Sequence, residues 1–332
     1  MMNSSPVAGK LWSIVLASGD SGRLRSLIER WLGHSKPKQY CAFVGERSPF
    51  QHALDRAAIF CQPEHIVTVV SRDARPEACP QLGGRGVGVM LAEPKHVGTV
   101  AGLYLSLTYV RAKDPYSTVV VYPSDHFVYP EHLFLATVDR AVAATAELPN
   151  RVVLLGVSPD RLELDYEWMV PGEQLAGSPQ HQVRAVDAFL ERPTPGEADN
   201  ALAKGALWNS SVFAAKTEAL WQLGWESFPS LMVRFEQLHA AIGTREETIV
   251  LNNIYREMPR YHLASDLLKP AHGRIAVIET SGVLWSDWGT PERITHSLRQ
   301  IGREPAFPLA CLTRPFVPNF LGGSGDGMLA NL

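Results

Sequence analysis

The chain has 332 residues, 45% of them hydrophobic and 20% charged, with a formal net charge of -3. That length and composition suit one large globular domain or two smaller ones with ample core. No Lys/Arg run is long enough for a nucleic-acid footprint, and no stretch approaches membrane-spanning length, so neither partner is expected.

The four cysteines (Cys41, Cys61, Cys79, Cys311) are scattered, with no CxxC pair. They read as reduced thiols, and with no apolar leader at the start the expected location is cytoplasmic. The first organised stretch is Leu11–Ala17, an apolar run of strand length. It stops at a glycine-bearing loop, Ser18-Gly19-Asp20-Ser21-Gly22-Arg23, followed later by Pro37-Lys38-Gln39. A buried strand ending at such a loop is where open α/β sheets hold phosphates, with Arg23 and Lys38 adding positive charge. An ordinary strand–turn with solvated basic residues has the same local signature.

Ser48-Pro49-Phe50-Gln51 predicts a helix start with a capping box, and a helix over Pro49–Phe60. His65–Ser71 is a β-branched strand, and the Pro- and Gly-rich Asp73–Arg85 reads as loop. Gly83–Gly88 resembles a dinucleotide fingerprint but precedes a strand (Val87–Ala92) instead of following one, so it is rejected. Val100–Arg111 reads as a helix with Thr99 at its cap. Ser117–Tyr122 reads as a buried strand ending at Pro123-Ser124-Asp125-His126. The helix opened by Pro130 and the strand Arg151–Val157 follow. This alternation predicts an α/β fold with a mixed, mostly parallel central sheet and helices on both faces.

Beyond Gly156 the pattern changes. Tyr166–Val170, Val183–Leu190 and Leu207–Phe213 are strand-like, and Thr194-Pro195-Gly196-Glu197 is a second capping box. Ala219–Tyr255 is mainly helical, Arg274–Glu279 is a late strand, and Thr290-Pro291 starts a helix to about Ile301. The tail from Glu304 is rich in Pro and Gly and is expected to pack loosely, which sets the expected domain at residues 1–303. Asp125 and Asp287 each follow an apolar strand. Two carboxylates converging at strand ends would make a Mg²⁺ site, whereas either alone is as readily a loop or helix cap.

Six motifs occur in order: Leu16-Ala17-Ser18-Gly19…Arg23-Leu24, Pro37-Lys38-Gln39, Pro123-Ser124-Asp125-His126, Glu191-Arg192-Pro193, Leu207-Trp208-Asn209-Ser210 and Trp285-Ser286-Asp287-Trp288-Gly289. Together they resemble the sugar nucleotidyltransferases, and most nearly the mannose-1-phosphate guanylyltransferases. The resemblance implies a Rossmann-like nucleotidyltransferase fold. It implies a reaction joining a nucleoside triphosphate and a sugar-1-phosphate, by expectation GTP and mannose-1-phosphate, into a nucleotide sugar and pyrophosphate. Arg23, Lys38 and Asp125 would carry catalysis. Ala17, Ser18, Gly19, Arg23, Glu93, Thr99 and Ser124 would hold the nucleotide. Asp125 and Asp287 would hold Mg²⁺. Glu191 and Asn209 would contact the sugar, and Arg192 stands where the family usually has a phosphate-binding Lys. Gly156, Glu163, Tyr166 and Asp266 would shape the sugar pocket. The Glu93 carboxylate would accept guanine N1–H and N2–H₂, or else only orient its loop. Family habit allows a homodimer.

The chain departs from that pattern at Ser18, Ser21 and Gly22 of the loop, at Val97 where a basic residue is usual, and at Glu167 where glycine is common. Ser18, Ser21 and Val97 admit a second reading, a nucleotide-sugar-binding regulator that keeps the fold and has lost catalysis. An NAD-dependent oxidoreductase ranks far below, because no GxGxxG follows the first strand.

Overall fold

The computed structural model describes residues 9–19, 22–83, 88–175 and 181–313. Asp20-Ser21, most of the rejected glycine fingerprint (84–87) and the tail from 314 lie outside the described residues. The elements in order are β1 (Leu11–Ala17), α1 (Arg25–Leu32), α2 (Pro49–Phe60), β2 (Ile66–Ser71), α3 (Arg75–Leu82), β3 (Val89–Glu93), α4 (Thr99–Lys113), β4 (Thr118–Pro123), β5 (Phe127–Tyr129), α5 (Glu131–Glu147) and β6 (Val152–Val157). Then come β7 (Glu167–Gln174), β8 (Arg184–Glu191), α6 (Pro195–Ala203), β9 (Leu207–Lys216), α7 (Thr217–Ser227), α8 (Pro229–Ala241), α9 (Glu247–Glu257), β10 (Ile275–Thr280), β11 (Leu284–Ser286), α10 (Pro291–Gln300) and α11 (Ala310–Thr313).

Nine of these strands form one sheet in the order β3-β2-β1-β4-β9-β6-β10-β8-β7. β8 and β9 run against the other seven, so the sheet is mixed and mostly parallel in direction. Its parallel part is β-branched and buried on both sides, as crossover helices on each face require. One face packs on α4, α7, α8 and α9, the other on α2 and α5. The two capping boxes form as the sequence predicts: Ser48 accepts from Gln51 N–H at the start of α2, and Thr194 from Glu197 N–H at the start of α6.

Two expectations change. Residues 75–82, expected as loop, form α3; Pro76 sits in the first turn, where its missing N–H costs nothing. Residues 304–313, expected to pack loosely, close a third aromatic cluster. Phe307 is only 2% exposed and meets Trp31 and Phe43, and the Ala306 N–H donates to the Phe43 carbonyl at 2.8 Å.

Parallel register sets the site. Leu16 pairs with Pro123, so β1 and β4 end at the same height and their loops emerge side by side. The Ser124 N–H donates back to the Leu16 carbonyl at 3.1 Å and locks them together. Because β9 runs the other way, its first residues arrive at this same edge, where Asn209 pairs with Gly156 of β6.

Candidate active site

A cleft of about 280 Å³ opens at the carboxyl ends of β1 and β4. Its lining includes Ser18, Gly19, Gln39, Thr99, Ser124 and Asp125. Gln39 explains why the first loop sits as it does. Its side-chain amide donates to the carbonyls of Ala17 (3.0 Å) and Gly19 (2.8 Å), and the Tyr40 hydroxyl donates to Ala17 as well (2.9 Å). Ala17 itself is buried beneath the loop. The far wall comes from the π-helical turn Leu263–Leu268 and His262. Gly98 lets that wall close: its φ is +95°, and a Cβ there would lie 2.0 Å from the Tyr261 carbonyl oxygen.

Lys38 links Asp125 of the cleft lining to the Asp287 segment. Its ammonium lies 3.0 Å from Asp125 Oδ2 and donates to the Asp287 backbone carbonyl at 2.7 Å. Two segments 162 residues apart in sequence therefore meet on one cation. Burial alone would push the Asp125 carboxyl up, but the Lys38 and His126 charges outweigh it and hold it below the usual range. His126 is pushed down by burial against the pull of Asp125, and its ring meets the edge of Trp285 at 5.1 Å.

The Asp287 carboxylate is held by Arg293. Both of its oxygens accept from Arg293 Nη1, at 3.0 and 2.9 Å, and its Oδ1 also takes the Gly289 N–H at 2.8 Å. Glycine at 289 permits this turn, since a Cβ there would come within 2.7 Å of Asp287 Oδ2. Arg293 is nearly buried and also donates to Glu163 from Nε (3.1 Å) and Nη2 (2.9 Å) while lying 4.3 Å from the Tyr166 ring centroid. Burial opposes its charge, but Glu163 and Asp287 hold its pKa above the ordinary guanidinium value. Arg23 is likewise engaged: it pairs with Asp165, both side chains half-exposed.

These pairings test the expected metal site. Mg²⁺ takes oxygen ligands and needs only one or two carboxylates beside substrate phosphates. Asp125, ionised and lining the cleft, fits that demand. Asp287, with both oxygens on Arg293, does not fit as a ligand in this arrangement. Among the described residues no group of three or more His, Cys, Asp or Glu could hold a metal ion without help from a ligand.

The remaining expected residues divide. Ser18, Gly19, Thr99, Ser124 and Asp125 line the cleft. Glu93 does not: it is fully buried behind Gly102, accepts the Tyr255 hydroxyl at 2.8 Å, and burial pushes it up to about 7. Its carboxylate has no exposed surface in this arrangement. Gly156 packs against Leu207 and Val277 instead of lining a pocket. Glu163 is committed to Arg293. Tyr166 is buried against Trp208 and Trp285, with its hydroxyl 3.1 Å from Ser286 Oγ. Asp266 accepts the His262 N–H at 2.7 Å and so caps the π-helical turn. Glu191 lines a smaller recess beside the cleft with Lys269, and Arg192 is exposed at φ +47°. Asn209 is buried and bonded to Glu167 and Ser211.

Gln39, Glu167 and Arg293 are functional candidates that motif reading passed over. Gln39 sits beside Lys38 in a quoted motif, and Glu167 shows as a departure from pattern. No local signal marks Arg293, which meets Glu163 from 130 residues away.

No family model matches the sequence. The chain is 31% identical over 203 residues to the xanthan biosynthesis protein XanB of Xanthomonas campestris pv. campestris, covering 60% of this chain and 41% of that protein. It is 23% identical over 289 residues to a mannose-1-phosphate guanylyltransferase of Escherichia coli, covering 85% of this chain and 60% of that protein. The chain thus spans less than two thirds of the length of these relatives. Among solved structures, mannose-1-phosphate geranyltransferase from Thermus thermophilus shares the fold. Its TM-score is 0.71 at 24% identity, over 84% of this chain and 76% of that one. No helix among the described residues is long and apolar enough to cross a membrane. In sequence and in fold, the chain is thus similar to the sugar nucleotidyltransferases.

Proposed function

We propose that the chain joins a nucleoside triphosphate and a hexose-1-phosphate into a nucleotide sugar and pyrophosphate. The names of its relatives point to GTP and mannose-1-phosphate as the pair. The observation that carries the reading is Lys38, which ties Asp125, a lining residue of the cleft with Ser18 and Gly19, to the Asp287 backbone.

A phosphate oxygen of the sugar phosphate attacks the α-phosphorus in line. The new P–O bond forms as the bond to the β-phosphate breaks, and pyrophosphate leaves. Such a transfer needs positioning and charge neutralisation more than a covalent group on the protein. The attacking phosphate is already ionised near neutral pH, so no strong general base is required. Lys38 supplies a fixed positive charge, the Ser18–Gly19 loop and Ser124 orient the phosphates, and Asp125 would hold Mg²⁺ together with phosphate oxygens. When bound, the ion adds charge neutralisation at the reacting phosphate. Arg23 joins this set once it leaves Asp165.

A matrix of five nucleoside triphosphates against several sugar-1-phosphates, with Mg²⁺ and a pyrophosphate readout, tests the reading. One strongly preferred pair supports it, and no pyrophosphate from any pair overturns it. A second reading, a nucleotide-sugar-binding regulator, is favoured by Arg23 and Asp287 each being engaged with another side chain. Its signature is tight binding of GDP-mannose without pyrophosphate release. A homodimer belongs with these proposals, and sedimentation of the purified chain tests it.

A further inference from the structure

The sugar end of the cleft carries a carboxylate that none of the motifs assigns. Glu167 opens β7 and lines the cleft. Asn209 does not line it, because both ends of its amide are engaged. Its Oδ1 accepts the Ser211 N–H at 2.9 Å, and its Nδ2 donates to Glu167 Oε2 at 3.0 Å. Glu167 therefore stands between Asn209 and the cleft. Its other oxygen, Oε1, has no hydrogen-bond partner among the described residues, although the side chain is largely sequestered. Burial pushes its carboxyl up, the Asn209 bond holds it back, and Glu191, its register partner on β8, pushes it up again. Lys269 shares the adjoining recess with both acids, so net charge is partly compensated there.

We infer that Glu167, backed by Asn209, selects the sugar phosphate. It favours a hexose-1-phosphate that presents a free hydroxyl or amino group to Oε1, and turns away one bearing a carboxylate or N-acyl group at that place. The inference rests on the nucleotidyltransferase reading for the class of ligand. Its chemistry is simple. An ionised carboxylate only accepts hydrogen bonds, and those it accepts are charge-assisted and short. A sugar offering another acceptor leaves Oε1 desolvated and unpaired, which is the costly outcome. The Glu side chain also fills volume that an N-acyl group would need.

The test uses the full chain as wild type, Glu167→Gln and Glu167→Gly. Glutamine keeps the size and the acceptor for Asn209; glycine clears the space. Calorimetric binding and pyrophosphate release are measured with mannose-1-phosphate, glucosamine-1-phosphate, N-acetylglucosamine-1-phosphate and glucuronic acid-1-phosphate. Wild type should prefer the first two by about tenfold or more. Glu167→Gln should erase most of the preference for the amino sugar, and Glu167→Gly should admit the N-acetylated one. These changes should appear in KM for the sugar, with KM for the nucleotide unmoved. An identical ranking in all three proteins overturns the inference. Rankings that shift in binding while no protein releases pyrophosphate uphold Glu167 as the selector and overturn only the catalytic reading. No binding of any probe overturns both.

Discussion

The two ends of the cleft are built by different means. Along β1 and β4 the wall is backbone: the two parallel strands stop in register, and Gln39 and Tyr40 clamp the emerging loop through its carbonyls. At Glu167 the wall is side chain. Glu167 stands on β7, with Asn209 of β9 behind it and Glu191 of β8 in the adjoining recess, where the pairings are antiparallel and broken by register shifts. Backbone walls are dictated by topology and so vary little with individual residues. Side-chain walls change with a single substitution, which suits the selectivity proposed for Glu167.

The largest expected effect breaks the Lys38 link. Asp125→Ala or Lys38→Ala should lower turnover by about 10²–10³ in protein that still folds, because preorganised charge at the reacting phosphate is lost. Normal turnover in both variants would remove the link from the mechanism. Arg293→Ala should come next, at about 3 kcal/mol of stability by denaturant titration, because Asp287 and Glu163 lose the cation they share. An unchanged denaturation midpoint would mean that the cluster contributes nothing.

Glu93, buried behind Gly102, gives a pH signature. Its folded pKa lies near 7, against a reference value of 4.5. Between those values the folded chain keeps a proton that the unfolded chain has released, so stability falls as pH rises through that window. Glu93→Gln should remove about 2 kcal/mol of that decline between pH 5 and 7. Parallel stability curves for wild type and variant would assign the pH dependence elsewhere. The smallest effect sharpens the sugar end: Ser211 lies in the cleft wall at φ +56°, and Ser211→Gly should stabilise by about 1 kcal/mol. Destabilisation instead would show that its side chain, and not its backbone, matters there.

What the sequence made legible follows the same division. Capping boxes at Ser48 and Thr194, the buried strands, and the loops bearing Ser18 and Asp125 all express local rules, and all appear where those rules put them. What stayed hidden depends on long-range pairing. Arg23 and Asp287 have motif positions that place them near the cleft, yet Asp165 and Arg293 decide where their charges point. Glu93 sits at the expected strand end but faces inward to Tyr255, an orientation no spacing of residues reveals. The short helix α3 was hidden by its own prolines.

The segment after α10 has a practical meaning for anyone producing this protein. Cutting at residue 303, where proline and glycine suggest a natural end, would strip Phe307 from Trp31 and Phe43 and free the Arg30 guanidinium from the Cys311 carbonyl, which it holds at 2.8 Å. The trimmed chain would display a bare aromatic face and stick to itself in concentrated solution. A shortened expression boundary belongs no earlier than Thr313.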